Sequence, residues 1–257
     1  MIINTNPVAF HLGDFAIHWY SIFFSTALII IFYLMEWFFT REKLEHEFTC
    51  FLPFGFLGAI LGARLGHFLF YAPDMLIENP MVLLLFNQEK GMASHGAFLG
   101  LMIAFYLCPK KCKSLSFLWL YERAAIALLF GGIFIRCGNF FNQEILGKPS
   151  DSWLAVSYSQ MDNIARHPVQ LYESAAYTIM AFIFMHLYIK KEQAPGTLLW
   201  QILVCMSVVR FSLEFFKEYQ THLLLIAPFT NGQLLSIVSF IIGLLVYYVV
   251  KKKASGQ

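Results

Sequence analysis

The amino-acid sequence predicts an all-α, polytopic integral membrane protein with about seven transmembrane helices. Three observations carry that prediction. Charged residues are only 13% of the 257, about half the share usual in a soluble domain. Hydrophobic residues make up 58%, 28 of them phenylalanine, and the mean hydropathy is +0.62. Several apolar runs approach the roughly 20 residues that a helix needs to cross a bilayer. A water-soluble core cannot hide that much apolar surface, which excludes a soluble enzyme, a disordered segment and a disulfide-stapled secreted module. The lipid bilayer is the expected surrounding. A net charge of +2 gives no pointer to nucleic acid, and none is expected as a partner.

In chain order the candidate spans are roughly 19–39, 49–71, 92–108, 117–136, 168–189, 196–216 and 233–250. Residues 1–257 are expected to form a single transmembrane domain. Met1 to His18 carry no Lys or Arg, so they lack the basic start of a cleavable signal peptide, and the first run is expected to be retained. The second span carries Gly58, Gly62 and Gly66, and the third Gly96 and Gly100; small residues one turn apart predict close helix packing. The fourth span has Glu122 and Arg123 in its first turns, where snorkelling is the expected rescue. Two shorter apolar pieces, Met81–Phe86 and Leu223–Phe229, are too short to cross and are expected at an interface. The gap 137–167 is polar and reads as a loop. The five cysteines (Cys50, Cys108, Cys112, Cys137, Cys205) are odd in number and have no histidine-bearing zinc spacing, so neither a disulfide framework nor a metal site is expected.

Basic residues set the orientation. Arg41, Lys43, Lys110, Lys111, Lys113, Lys190, Lys191, Lys251, Lys252 and Lys253 fall on one side, against Lys90, Lys148, Arg166 and Lys217 on the other. The N-terminus is therefore expected outside and the C-terminus in the cytoplasm, with short outer connections at about 72–91, 137–167 and 217–232.

Ionisable groups inside spans cost roughly 2.5–3.5 kcal/mol at mid-helix on insertion scales and tend to mark function. Here they share one depth. Tyr20 opens the first span, Arg64 and His67 lie in the outer half of the second, and His95 opens the third. Arg136 and Asn139 end the fourth; His167, Gln170 and Glu173 open the fifth; Arg210 and Glu214 close the sixth; Asn231 and Gln233 start the seventh. A proton or ion path would spread such groups through the membrane, whereas a common outer level suits a site at headgroup depth. Each residue has a plainer role open to it. Arg210 and Glu214 at i,i+4 suit a helix-stabilising pair, Arg64 a snorkelling cation, His67 and His95 satisfied packing histidines. Tyr20 suits an aromatic belt, His167–Pro168 a helix start, and Asn139 and Asn142 a turn.

Arginine's planar, permanently charged fork is suited to phosphate, so several arginines at this depth suggest an anionic phospholipid. A nearby imidazole can take a proton from an incoming nucleophile, and arginines on a leaving phosphate can offset developing charge. The residues alone lead to a lipid-headgroup transferase or hydrolase; a polytopic transporter and a non-catalytic lipid-binding membrane protein stay open beside it.

The stretch Arg136-Cys-Gly-Asn-Phe-Phe-Asn-Gln-Glu-Ile-Leu-Gly147 resembles the signature of the bacterial prolipoprotein diacylglyceryl transferases, G-R-x-G-N-F-x-N-x-E-x-x-G. Six further motifs of that family occur in register: His18-Trp19-Tyr20-Ser21; Gly62-Ala63-Arg64-Leu65-Gly66 with Phe70-Tyr71; Gly91-Met92-Ala93-Ser94-His95-Gly96-Ala97; Arg166-His167-Pro168-Val169-Gln170-Leu171-Tyr172-Glu173; Arg210 to Lys217; and Gly232-Gln233-Leu234-Leu235-Ser236. Ile135, Ala97, Ser21 and Lys217 depart from the family pattern, which has glycine at the first three and arginine at the last. The resemblance covers nearly the whole chain. It implies transfer of the diacylglyceryl group of phosphatidylglycerol to the lipobox cysteine of a prolipoprotein, with glycerol phosphate released and a thioether formed. It implies a multi-pass protein of the bacterial inner membrane working at the periplasmic side, with its N-terminus there, and no metal or other cofactor. On that basis Arg136 and Arg210 are expected to hold the phosphate, His95 to accept the thiol proton and Tyr20 to help orient the groups. Glu214 is expected to position Arg210. Asn139, Asn142, Glu144 and Gly147 would shape the headgroup pocket, with Arg64 as a further substrate-binding cation.

Overall fold

A computed structural model describes residues 2–3, 6–85, 91–159, 161–190, 193–218 and 229–255. Helices dominate: α1 (Trp19–Arg41), α2 (Glu45–Tyr71), the short α3 (Pro73–Glu78), α4 (Ser94–Lys111), α5 (Phe117–Phe141), α6 (Val169–Lys190), α7 (Thr197–Glu214) and α8 (Asn231–Ala254). Every predicted span is a helix of at least 18 residues. α1, α2, α5, α7 and α8 are long and apolar enough to cross a membrane. On α8, Leu235, Val238, Ile242 and Leu245 form an exposed apolar stripe at helical spacing, a surface that suits lipid rather than water. These features make the chain an all-α polytopic membrane protein.

Short strands were not foreseen. β1 (Ile2–Ile3) pairs in parallel with β4 (Val156–Tyr158), which pairs antiparallel with β5 (Ala165–Arg166). β2 (Val8–Leu12) and β3 (Phe15–His18) form a hairpin that turns at Gly13, whose φ of +59° favours glycine. The stretch 137–167 is therefore more than a loop: it opens on the last turns of α5 and contains two strands. Of the two short apolar pieces, Met81–Leu83 lies in a 3-10 turn (Pro80–Leu83), while Phe86, Lys90 and residues 223–228 lie outside the described residues.

The chain packs as two compact units, residues 36–121 and residues 1–35 with 122–257. In the first, α2 and α4 meet through their glycines. A Cβ on Gly62 would stand 2.4 Å from the Gly96 carbonyl oxygen, and one on Gly100 only 2.0 Å from that of Gly58. The glycines act as packing residues, as their spacing predicted. Phe39, Phe48, Phe51, Phe105 and Trp119 fill the core below them. This close approach also joins Cys50 to Cys112 in a disulfide, 62 residues apart in sequence. The expectation that no cysteines pair is thereby corrected; spacing along the chain could not reveal a contact made by two helices.

In the other unit, α6 packs on α7 and α7 on α8. α8 starts with a capping box in which the Thr230 hydroxyl accepts from the Gln233 N–H and the Gln233 side chain accepts from the Thr230 N–H. Glu122 does not snorkel. It is 1% exposed, and one carboxylate oxygen accepts from the N–H groups of Gly196, Leu198 and Leu199 at 2.8, 2.9 and 3.4 Å. It thus caps the start of α7, where four N–H groups lack helical partners and the dipole favours an anion. Arg123 pairs with its other oxygen and lies over the Tyr188 ring.

Candidate active site

The unit of residues 1–35 and 122–257 gathers most of the expected site. α5 runs to Phe141, past its expected end, so Arg136 and Asn139 lie on one face of its last turns. The Arg136 guanidinium donates to Asn139 Oδ1 at 3.0 Å, Asn139 Nδ2 donates to Glu144 at 3.1 Å, and Asn142 Nδ2 donates to the other Glu144 oxygen. Tyr20 of α1 packs its ring 3.3 Å from where a Gly138 Cβ would lie, within electrostatic reach of Glu144 and Arg136.

The chain leaves α5 through a strained turn. Gln143 and Ile145 have φ of 55° and 57°, flanking Glu144. A left-handed β-branched residue is a true outlier, and such strain concentrates where a backbone is held for function. What holds it is visible. Gln170 Nε2 donates to the Glu144 carbonyl at 2.6 Å, while the Tyr158 hydroxyl donates to Gln170 Oε1 at 3.2 Å. Burial pushes the Tyr158 phenol up to about 12, so it stays a donor. Gly147 bridges to Lys217, and a Cβ there would meet the His167 carbonyl oxygen at 2.2 Å. Gly147 therefore serves by allowing backbones to close on one another. Arg166, 5% exposed, donates to the Gly147 carbonyl and pairs with Asp162 and Glu218.

A buried charge network lies alongside. Glu173 on α6 is fully buried and pairs with Arg136 Nε at 2.7 Å and Lys217 Nζ at 2.8 Å. Both are charge–charge approaches rather than well-angled hydrogen bonds. Lys217 also reaches Glu214 at 3.3 Å, and the Thr230 hydroxyl donates to Glu214 at 3.0 Å. Gly232 leaves room for that carboxylate, since a Cβ there would stand 2.4 Å from it. Glu214 was expected to position Arg210; among the described residues it is held by Lys217 and Thr230, and no carboxylate pairs with Arg210. Arg210 is half-buried and, with Arg136, lies within electrostatic reach of the buried Tyr177 hydroxyl. Asn142 Oδ1 and Asn231 Oδ1 are buried polar atoms without a hydrogen-bond partner among the described residues, and the Tyr177 hydroxyl lies within reach of the Arg136 guanidinium. Glu173, Lys217 and Tyr177 were not among the predicted site residues; the motif ending at Glu173 was the available signal.

Arg64 and His95 belong to the other unit. Arg64 is 1% exposed, and its guanidinium donates to the carbonyls of Val82, Leu83, Leu85 and Gly91. With its donors so engaged, it staples the connection after α3; its expected substrate-binding role has no contact here that bears on it. His95 is exposed in the first turn of α4, against the rings of Phe70 and Tyr71 at 5.2 and 5.8 Å. His67 stacks on Tyr71 at 5.7 Å, and Gly91 packs against its ring.

Comparison with known proteins bears on this geometry. A family profile described as prolipoprotein diacylglyceryl transferase matches residues 7–249. The chain is 35% identical to the phosphatidylglycerol–prolipoprotein diacylglyceryl transferase of Tolumonas auensis over 91% of this chain and 89% of that one. It is 36% identical to the one of Chloroherpeton thalassium (98% and 94%) and 34% identical to the one of Aliarcobacter butzleri (96% and 94%). A profile match across almost the full length, with relatives aligned end to end, shows that this chain is a member of the prolipoprotein diacylglyceryl transferase family.

Proposed function

We propose that this protein transfers the diacylglyceryl group of phosphatidylglycerol to the lipobox cysteine of prolipoprotein signal peptides; the names of its relatives give phosphatidylglycerol and prolipoprotein for them. The whole chain, residues 1–257, acts as one transmembrane domain of the bacterial inner membrane. Its N-terminus is periplasmic, its C-terminus cytoplasmic and its site on the periplasmic side. The basic-residue bias supports that orientation.

The observation that carries the reading is Arg210, a half-buried guanidinium that no carboxylate pairs with among the described residues, within electrostatic reach of the buried Tyr177 hydroxyl. Buried polar groups in native proteins are nearly always satisfied, so this set is suited to complete its bonds on a ligand. A phosphodiester matches it. Arg210 and the free face of Arg136 take the phosphate oxygens, and the Tyr177 hydroxyl donates between them. Tyr20, Asn139, Asn142 and Glu144 face the glycerol hydroxyls and ester oxygens. In the reaction the peptide sulfur gives up its proton and attacks the diacylglyceryl carbon bonded to the phosphate oxygen. The C–S bond forms, the C–O bond breaks, and its electron pair leaves on glycerol phosphate. The arginines offset that charge as it develops. For the thiol proton we retain His95 on the strength of its motif, tested by the pH–rate profile of His95→Gln.

The experiment mixes purified protein, phosphatidylglycerol and a lipobox peptide, and reads the diacylglyceryl mass on the peptide cysteine, with a cysteine-to-serine peptide as control. Arg210→Ala should lower the rate by roughly 10²–10³, the usual cost of losing one charge-stabilising donor. No product from the wild-type chain, or a normal rate for Arg210→Ala, would overturn the reading.

A further inference from the structure

At the lysine-rich end of the α2–α4 pair, two sulfurs and a carboxylate converge, with a third sulfur beside one of them. Glu47 and Cys50 stand at i,i+3 in the first turns of α2, and Cys108 and Cys112 at i,i+4 at the end of α4. One ligand atom each from Glu47, Cys50 and Cys112 lies within 4.8 Å of the others, and Cys108 Sγ is 3.3 Å from Cys112 Sγ. Cys108 and Cys112 are buried, 0% and 1% exposed. From Cys50 to Arg64 is 14 residues of α2, roughly 20 Å of helix, so this cluster is separate from the end of the pair that carries Arg64 and His95.

We propose that Glu47, Cys50, Cys108 and Cys112 form a tetrahedral site for a thiophilic divalent metal ion, Zn²⁺ by its chemistry, which the chain binds in its reduced state. Zinc takes thiolates at about 2.3 Å, which places tetrahedral sulfurs about 3.8 Å apart. Opening the Cys50–Cys112 bond lets these two sulfurs relax to that separation, and Cys108 already stands close to it from Cys112. The bond is opened by a dithiol reductant, which is oxidised to its own disulfide as two electrons and two protons pass to Cys50 and Cys112. Metal binding then displaces three thiol protons to solvent. On the orientation proposed above this end faces the cytoplasm, where thiols are kept reduced, so the metal-bound form is the resident one and the disulfide is its oxidised counterpart. The ion ties the start of α2 to the end of α4, away from the lipid chemistry.

Other thiols are removed first by using the full-length Cys137→Ser/Cys205→Ser chain in detergent. Reduced with a phosphine and desalted without oxygen, it should take up one equivalent of Co²⁺, with sulfur-to-cobalt charge-transfer absorption and tetrahedral d–d bands that one equivalent of Zn²⁺ abolishes. Cys108→Ser and Cys112→Ser should each lose about a third or more of the charge-transfer intensity, one of the three sulfur ligands being gone. Glu47→Gln should weaken Co²⁺ at least about tenfold while keeping that intensity. The oxidised chain should bind none. Failure of the reduced chain to bind either ion overturns the proposal without recourse to any variant. So does an unchanged spectrum in Cys108→Ser, or a Cys50–Cys112 disulfide trapped by alkylation in intact, unstressed cells.

Discussion

Replacing Glu173 with glutamine tests whether the buried network holds the proposed phosphate-binding arginine in place. The side chain is fully buried, and its two oxygens meet Arg136 at 2.7 Å and Lys217 at 2.8 Å. Glutamine keeps the shape and removes the charge, which leaves two cations side by side with Glu214 as the remaining paired carboxylate. Two unit charges about 4 Å apart interact by roughly 4 kcal/mol at an effective dielectric of about 20. Desolvation cancels part of that, and removing one partner of a buried pair typically costs about 3–5 kcal/mol. The melting temperature of Glu173→Gln in detergent should therefore fall by at least about 6 °C. The transfer rate should fall by roughly 10²–10³ as Arg136 loses its anchor. The double variant Glu173→Gln/Lys217→Met removes one stranded cation, so it should be less destabilised than the sum of the single variants, with a coupling of about 0.5–3 kcal/mol. Additive effects, or a single variant with normal melting and normal rate, would refute this account of the network.

Three further outcomes follow from the packing and charges. Glu122→Ala strips the acceptor from three N–H groups at the start of α7 and strands Arg123; it should cost about 3–5 kcal/mol, read as a lowered melting temperature and faster amide exchange at Leu198 and Leu199. Gly100→Ala puts a Cβ 2.0 Å from the Gly58 carbonyl oxygen, so α2 and α4 must separate, which should be read as a lowered melting temperature in detergent. The Arg166 guanidinium beside Asp162 holds that carboxyl below the usual aspartate range. A lowered folded-state value contributes stability above the unfolded value that is lost as pH falls through the folded one. Melting curves of wild type and Asp162→Asn should thus differ at neutral pH and converge in acid, and a gap that persists there would count against the contact.

How much of this was legible in the sequence depended on whether a feature was local. All seven long helices announced themselves as apolar runs, because lipid demands length and hydropathy and little else. The glycine rows on α2 and α4 likewise carried their own spacing. The strands did not: each has five residues or fewer, and β1 pairs with β4 across some 150 residues of chain, which no local pattern encodes. Glu122 was misjudged for the same reason. Its partners are backbone N–H groups 74–77 residues away, so the sequence displayed only a carboxylate in an apolar helix.

The site divides along the same line. The cluster from Arg136 to Gly147 is contiguous, and its hydrogen bonds link residues two to five apart, so the motif and the geometry coincide. Arg210 and Glu214 show the opposite case. Their i,i+4 spacing favours a pair on an isolated helix, where such a contact contributes only about 0.2–0.5 kcal/mol. In the folded chain α7 ends at Glu214 and the backbone turns through Phe215 and Phe216, which brings Lys217 back toward both Glu214 and the buried Glu173. A cation shared by two carboxylates in a low-dielectric setting outweighs a local helical pair. Lys217, where the family has arginine, thus anchors Glu214, and among the described residues no carboxylate pairs with Arg210. A residue left uncommitted in this way is the one to follow in binding experiments. If Lys217→Met drew Glu214 onto Arg210, the affinity for phosphatidylglycerol should fall even though Lys217 is not among the proposed lipid contacts.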